Sequence, residues 1–168
     1  ISFLCPVPGY DRHFSMLEKL GIKMIPVPLT GNGPDLELIN NLLETDETIK
    51  GILCVPKHSN PTGETYSQEV IEELAKIKKE DFKIIFDNAY AVHDFSKSKK
   101  LPNIEQTFIK NNSLKSLVML GSTSKISLAG SGLAFMYLSP ENMSNFIDYF
   151  SKFSLGSDKV NQARHVRI

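Results

Sequence analysis

The sequence predicts an α/β domain built on a mostly parallel sheet with helices on both faces. Short apolar runs alternate with amphipathic stretches along the chain, a pattern typical of strands alternating with helices. Residues 82–86 are almost entirely apolar, as expected of a parallel strand that is covered on both faces. The length of 168 residues corresponds to about one domain at ~150 residues per domain.

Composition excludes several functional classes. Lysine plus arginine is 19 and aspartate plus glutamate is 19, so the net charge of +0 argues against nucleic-acid binding and against an acidic disordered tail. Hydrophobic residues make up 41% of the chain, and no apolar run approaches the ~20 residues that span a bilayer. Cys5 and Cys54 lie in apolar, strand-like runs, which favours buried free thiols in a reducing cytoplasm over a disulfide.

The first third of the chain predicts two strands around a helix. Residues 1–7 form an apolar strand candidate, and residues 11–20 fit a helix that ends at Gly21. Residues 23–29 form a short strand whose two prolines place it at an edge of the sheet. A turn follows at residues 30–34.

The next stretch predicts a helix, a strand and a second helix. Asp35 can cap a helix that runs through residue 43, because its carboxylate accepts from the first free amides. Residues 49–55 are rich in branched side chains and read as a strand, followed by a loop at 56–63. Ser67 caps the next helix, whose acidic residues lie near its start and whose lysines lie near its end, as the helix dipole favours.

The buried strand at residues 82–86 ends at Asp87 and is followed by a lysine-rich stretch at 97–100, which predicts a solvated loop. Residues 102–110 form a weak helix candidate. Residues 116–120 form a further buried strand, which ends in the polar segment 121–125.

The last third predicts a strand at residues 133–138 and a helix at 140–153 with Pro140 in its first turn. A final helix includes residues 160–167. The chain begins inside an apolar run without a signal sequence and stops inside this helix, so we expect a fragment of a longer protein.

Chemically versatile side chains gather just after four predicted strands. Ligands of open α/β sheets bind beyond the carboxyl ends of the strands, so these side chains can meet in one crevice. The candidates are Tyr10, His13, Asn60, Asp87, Tyr90, Ser122, Ser124 and Lys125.

The residues alone leave two interpretations for each of the strongest candidates. Lys125 is either a nucleophile for Schiff-base chemistry or an exposed surface lysine. Asp87 is either a buried carboxylate that requires a partner or a turn residue. Tyr90 and His13 are equally compatible with packing in the core, and Asn60 with a connecting loop. The sequence has no zinc-ligand spacing, no GxGxxG segment and no P-loop, and no metal site is predicted.

Four ordered motifs together carry a family resemblance. They are PGYDRH at residues 8–13, SNPTG at 59–63, DNAY at 87–90 and STSK at 122–125. With these motifs the chain resembles class I pyridoxal-phosphate-dependent aminotransferases of the aspartate aminotransferase fold, and most closely a bacterial aspartate aminotransferase-like subgroup. The resemblance covers nearly the whole chain. It implies that residues 1–168 are part of the large, cofactor-binding domain, with an N-terminal segment before them and a small domain after them.

The resemblance also implies roles for the candidates. Lys125 would form a Schiff base with the aldehyde of pyridoxal 5′-phosphate and later carry a proton. Asp87 would pair with the protonated pyridine nitrogen, and Asn60 and Tyr90 would donate hydrogen bonds to the ring's phenolic oxygen.

The remaining implied roles concern the ring face and the phosphate. Tyr10 would stack on the ring, His13 would orient Asp87, and the hydroxyls of Ser122 and Ser124 would bind the phosphate. The family usually has a phosphate-binding arginine eight residues after the lysine. Leu133 occupies that position here, so another group, such as Arg164, would have to meet the phosphate charge.

The implied function is amino-group transfer between an amino acid, aspartate-like or glutamate-like, and a 2-oxo acid. A cytoplasmic homodimer without nucleic-acid or membrane partners is expected, and the isolated fragment would be poorly active. Three alternatives stay open: another reaction of the same cofactor, such as a β-lyase or decarboxylase; the aminotransferase-like domain of a transcription regulator; and a non-catalytic α/β binding module.

Overall fold

The computed structural model describes residues 1–94 and 99–168, and its strands form one six-stranded sheet. The order across the sheet is β2-β1-β3-β4-β5-β6. The strands are β1 (Ser2–Val7), β2 (Lys23–Pro28), β3 (Ile49–Cys54), β4 (Lys83–Asp87), β5 (Leu117–Ser122) and β6 (Ala134–Leu138). The helices are α1 (Asp11–Lys19), α2 (Leu36–Thr45), α3 (Gln68–Lys76), α4 (Ile104–Lys110), α5 (Pro140–Phe150) and α6 (Lys159–Val166).

The pairing confirms the predicted mostly parallel α/β sheet. Strands β1 to β5 pair in parallel, and only β6 runs antiparallel to its neighbour β5 among the described strands. The proline-containing β2 lies at one edge, as predicted, because proline cannot donate a hydrogen bond to a second neighbour.

Side-chain caps set the starts of most helices. The carboxylate of Asp35 accepts from the amide of Leu38, and the hydroxyl of Ser67 accepts from that of Val70, both as predicted. The helix predicted at 102–110 starts two residues later, because Asn103 is its cap. Lys79 lies beyond α3, where its ammonium donates to the carbonyl oxygens of Leu43 and Asp46 near the end of α2.

The main core lies on the face of the sheet that α2, α3 and α4 cover. Leu4, Ile52 and Ile84 point from three neighbouring strands into this layer and are fully buried. Phe86 meets Phe108 of α4 edge-on, with ring centroids 6.0 Å apart. This layer fixes the central strands, and therefore the positions of the loops that follow them.

Helices α1 and α5 cover the opposite face, which confirms helices on both faces. Asp87, next in β4 to the inward-facing Phe86, points to this second face and contacts His13 of α1. Met143 of α5 lies beside Leu120 and Met136, which are paired across β5 and β6. This second layer borders the carboxyl ends of the strands.

The lysine-rich stretch and the helices can also be compared with the sequence-based expectations. Lys99 and Lys100 of the predicted loop are exposed, whereas Lys97 lies outside the described residues. No helix within 1–94 or 99–168 combines the length and apolar character needed to cross a bilayer.

The two thiols should be unreactive in the folded protein. Cys5 and Cys54 are free and buried, as predicted. Burial raises the pKa of Cys5 to about 11 and that of Cys54 to about 12. At pH 8 the reactive thiolate of Cys5 is therefore only about a thousandth of the total. We expect negligible labelling by Ellman's reagent at pH 8 without denaturant and two thiols per chain in 6 M guanidinium chloride; prompt native labelling would contradict the packing.

Candidate functional site

The predicted site residues lie at one edge of the sheet. Strands β1, β3, β4 and β5 are parallel, so their carboxyl ends point the same way. Tyr10 precedes α1 directly, Asp87 is the last residue of β4, and Ser122 is the last residue of β5. The four motifs therefore converge where ligands of open α/β sheets bind.

Asp87 is held by two hydrogen bonds. Its Oδ2 lies 2.9 Å from Nε2 of His13, and its Oδ1 accepts from the backbone amide of Ala89 at 3.0 Å. The imidazole of His13 is buried, and the ring of Tyr10 meets it edge-on at 5.2 Å. Tyr10, His13 and Asp87 thus form one connected row from α1 to β4.

These contacts keep Asp87 ionised. Burial by itself would raise the pKa of this carboxyl, but the hydrogen bonds from His13 and the Ala89 amide outweigh it, and the charge of Lys125 acts in the same direction. The net result is a pKa below the usual value of aspartate. The site therefore presents a fixed anion at neutral pH, which suits a protonated ring nitrogen.

Lys125 lies beside Tyr90 at the next strand end. Its Nζ is 5.2 Å from the centroid of the Tyr90 ring, within the range of a cation–π contact. His93 contacts both residues. Its ring lies edge-on to that of Tyr90, with centroids 5.6 Å apart, and its Nε2 is 3.4 Å from the carbonyl oxygen of Lys125. Lys125 is exposed, so its amine is accessible from solvent.

The two serines before Lys125 form a small hydroxyl pair. The Ser122 hydroxyl donates to that of Ser124 at 3.0 Å and accepts from the Ser124 amide at 3.1 Å. Ser122 and Asp87 line one cleft of about 560 Å³, whose apolar wall comes from β5, β6 and α5. The apolar residues of that wall include Leu120, Met136, Met143, Phe146 and Phe150.

Asn60 is not joined to the other candidates by any hydrogen bond of the described residues. It lies half-buried in the loop after β3, and the Asn60–Pro61 peptide is cis. The Gly63 amide donates to the Ser59 carbonyl oxygen and closes this turn. The ring contact assigned to Asn60 therefore stays a prediction, as does the phosphate contact assigned to the exposed Arg164.

Several polar contacts around the site escape sequence reasoning. The side chain of Lys57 is 1% exposed, and its Nζ lies 2.6 Å from Oδ1 of Asp94, which joins the loops after β3 and β4. His165 of α6 contacts Thr123 and Ser127, on either side of Lys125. No short sequence motif marks these contacts, because each of them joins segments that are distant in the chain.

Comparison with known proteins identifies the family. The family described as aspartate amino-transferase matches residues 1–168. The chain belongs to the aspartate aminotransferase family. A Mycolicibacterium smegmatis protein with the provisional name of aminotransferase is 44% identical over 172 residues, which cover 100% of this chain and 40% of that protein.

One further relative and two solved structures are also similar to the chain. The aspartate aminotransferase of Corynebacterium glutamicum is 37% identical, covering 99% of this chain and 39% of that protein. Its crystal structure matches with a TM-score of 0.93 over 99% of this chain and 40% of that one. The structure of the pyridoxal-phosphate-bound C–S lyase of Staphylococcus hominis is 22% identical and matches with a TM-score of 0.75. The match covers 89% of this chain and 39% of the lyase chain, and it is a likeness of fold alone. The chain spans about 40% of the length of the curated relatives it matches first.

The residues of this family member fit pyridoxal phosphate chemically. An anion for a ring nitrogen, an amine for an aldehyde and two hydroxyls for a phosphate lie at one end of the sheet. In addition, Oδ1 of Asn88 is buried without a hydrogen-bond partner among the described residues, next to Asp87. A buried polar atom of this kind is rare unless a partner is supplied by water or a ligand.

Proposed function

We propose that this chain is the cofactor-binding part of a pyridoxal-phosphate-dependent aminotransferase. The observation that carries the proposal is the presence of a fixed anion and an accessible amine at two adjacent strand ends. Asp87 is an anion fixed by His13 at the end of β4, and Lys125 presents its amine beside Tyr90 after β5. The family to which the chain belongs supports the same reaction class.

Pyridoxal phosphate, when bound, supplies an aldehyde that reacts with amines and a ring that accepts electrons from the bound amino acid. The carboxylate of Asp87 would hold a proton on the ring nitrogen, because its lowered pKa keeps the carboxylate charged at neutral pH. His13 keeps that carboxylate in one orientation through the 2.9 Å contact. Without a fixed anion the ring nitrogen would lose its proton and the ring would accept electrons less readily.

The other residues bind the cofactor and move protons. Lys125 Nζ would carry a proton to and from the α-carbon of the bound amino acid. Tyr90 and Asn60 donate to the phenolic oxygen, Tyr10 packs on the ring face, and the hydroxyls of Ser122 and Ser124 donate to the phosphate. The amide and hydroxyl groups among these residues place donors opposite acceptor oxygens of the ligand, as a tightly held charged ligand requires.

For the substrates, we propose a dicarboxylic amino acid, aspartate or glutamate, and its 2-oxo acid. The name of the C. glutamicum relative, aspartate aminotransferase, supports this choice. We also propose that the whole protein is a cytoplasmic homodimer that binds neither nucleic acid nor membranes.

Borohydride trapping and a substrate panel test the proposal on the full gene product. Reduction in the presence of pyridoxal phosphate should leave one phosphopyridoxyl group, and peptide mapping should place it on Lys125. In a separate assay of the unreduced protein, aspartate and glutamate should be consumed with 2-oxoglutarate or oxaloacetate as acceptor, faster than alanine or leucine.

Other results of the same experiment are equally informative. A lack of adduct despite bound cofactor would overturn the proposal and favour a non-catalytic binding module. An adduct on Lys125 with release of ammonia and no new amino acid would place the protein among the lyases instead.

A further inference from the structure

The turn that carries Lys125 has little support of its own. Lys125 and its neighbour Ile126 are exposed, and the segment makes one helical turn in which the amides of Ile126 and Ser127 donate to the carbonyl oxygen of Thr123. An isolated turn of this kind does not hold its geometry in water, because one or two hydrogen bonds do not offset the ordering of its backbone. Some other contact must hold the lysine in place.

Helix α6 supplies such contacts from the side. Asn161 and His165 are four residues apart and so lie on one face of the helix. The side-chain amide nitrogen (Nδ2) of Asn161 donates to the carbonyl oxygen of Ser131 at 2.7 Å. Nε2 of His165 lies 3.1 Å from the Thr123 hydroxyl and 2.8 Å from the Ser127 hydroxyl. Both ends of the turn around Lys125 therefore contact one imidazole nitrogen.

The partners of His165 define which nitrogen carries its hydrogen. Nδ1 lies 2.9 Å from the carbonyl oxygen of Asn161, which can only accept, so Nδ1 is the donor. In the neutral ring Nε2 is then an acceptor. The Thr123 hydroxyl is free to donate to it, because its oxygen already accepts from the Leu133 amide at 2.8 Å. The helix carbonyl thus orients the ring, and the ring orients Thr123.

Thr123 also closes the far end of the loop. Its amide donates to the Leu133 carbonyl oxygen, in addition to the bond from the Leu133 amide to its hydroxyl. Gly132 lies so close to the turn that a Cβ there would be 2.1 Å from the Ser124 hydroxyl. The loop from Thr123 to Leu133 is therefore one closed unit, and α6 holds it at Thr123, Ser127 and Ser131.

We propose that His165, supported by Asn161, is a positioning residue. It holds the turn that carries Lys125 in a fixed position relative to Asp87. It acts on the Lys125 turn through Thr123 and Ser127 rather than on the amine itself. The inference rests on the proposed function only in taking Lys125 as the reacting amine. The contacts use the backbone of Leu133, so they are compatible with the absence of an arginine at that position.

Hydrogen exchange on the full gene product without cofactor tests the positioning role. In His165→Leu, which keeps apolar volume but removes both nitrogens, the peptide covering residues 123–133 should exchange roughly five- to tenfold faster, as expected for the loss of one or two hydrogen bonds. Peptides from β3 and β4 should be unchanged. His165→Gln, whose side-chain carbonyl oxygen can accept from the Thr123 hydroxyl, should restore much of the protection. Gln162→Ala, on the exposed side of the same helix, is the matched control and should exchange like wild type.

A double-mutant cycle distinguishes the loss of the specific contacts of His165 from a general destabilisation of α6 by His165→Leu. Ser127→Ala removes the contact with His165 and also the 3.0 Å bond from the Ser127 hydroxyl to the Thr123 carbonyl oxygen. Its effect in the His165→Leu background should therefore be smaller than in wild type, though not zero. Unchanged exchange in His165→Leu, equal exchange in His165→Leu and His165→Gln, or additive effects with Ser127→Ala would each overturn the inference. Because these measurements use no cofactor, they stand apart from the trapping experiment, whose failure would instead remove the proposed function.

Discussion

Replacement of Lys125 by alanine should abolish both the trapped adduct and amino-group transfer while leaving the fold intact. Lys125 is exposed and makes no buried packing contacts, so its truncation creates no cavity. The proposed reaction, by contrast, loses the amine to which the proposal assigns attachment of the aldehyde and transfer of the proton. We expect no phosphopyridoxyl peptide after borohydride reduction and a fall in kcat of several powers of ten, measured with aspartate and 2-oxoglutarate.

Two further variants separate the charge of Lys125 from its nucleophilicity. Lys125→Arg keeps a cation near Asp87 and Tyr90, but a guanidinium does not give up its proton at neutral pH and cannot act as a nucleophile. It should therefore fail in trapping as completely as Lys125→Ala. Lys110→Ala, at the exposed end of α4, is the matched lysine control and should behave as wild type. Adduct formation in Lys125→Ala at the wild-type yield would show that another lysine does this chemistry.

The sequence was sufficient to predict the sheet and the edge at which the candidate residues lie, because both depend on local patterns. The apolar run before Asp87 defines a buried strand, and a residue at the end of such a strand necessarily lies at the ligand-binding edge. The proline content of β2 likewise predicted its edge position without any knowledge of its neighbours. Capping residues such as Asp35 and Ser67 marked helix starts through a short-range hydrogen bond.

What could not be predicted depends on contacts between distant segments. Lys57 is separated from Asp94 by 37 positions, and nothing in the local sequence distinguishes a buried lysine from an exposed one. His165 is 42 positions from Thr123, and it meets the lysine turn only because α6 lies against the loop between β5 and β6. The same limit applies to Lys125: its exposure and its place beside Tyr90 follow from the arrangement of two loops, whereas the sequence left both interpretations open.

Asp87→Asn should separate cofactor attachment from catalysis. The asparagine is nearly isosteric, and its carbonyl oxygen can still accept from His13 or from the Ala89 amide, so the adduct on Lys125 should form. In the proposed site, however, the variant would not supply the charge partner that Asp87 gives to the ring nitrogen. Loss of one member of a buried ion pair costs about 3–5 kcal/mol, which corresponds to a rate reduction of roughly 10²–10⁴-fold if the cost falls on the rate-limiting proton transfer. Asp148→Asn, at an exposed carboxylate of α5, is the control; a kcat for Asp87→Asn equal to that of the control would remove the electronic role assigned to Asp87.

The acid limb of the stability curve gives an independent check on Asp87 without any substrate. Burial acts to raise the pKa of this carboxyl, yet the contacts with His13 and Ala89 and the charge of Lys125 leave it lower in the folded chain than in the unfolded one. A group of this kind stabilises the fold above its unfolded pKa, and the contribution is lost as the pH falls through the folded value. Asparagine does not titrate, so wild type should be more stable than Asp87→Asn at pH 7, and the difference in unfolding free energy should shrink between about pH 5 and pH 2. A difference that stays constant across that range in urea titrations would mean that the ionised carboxylate contributes nothing to the fold, and with it the argument for a fixed anion at the end of β4 would fail.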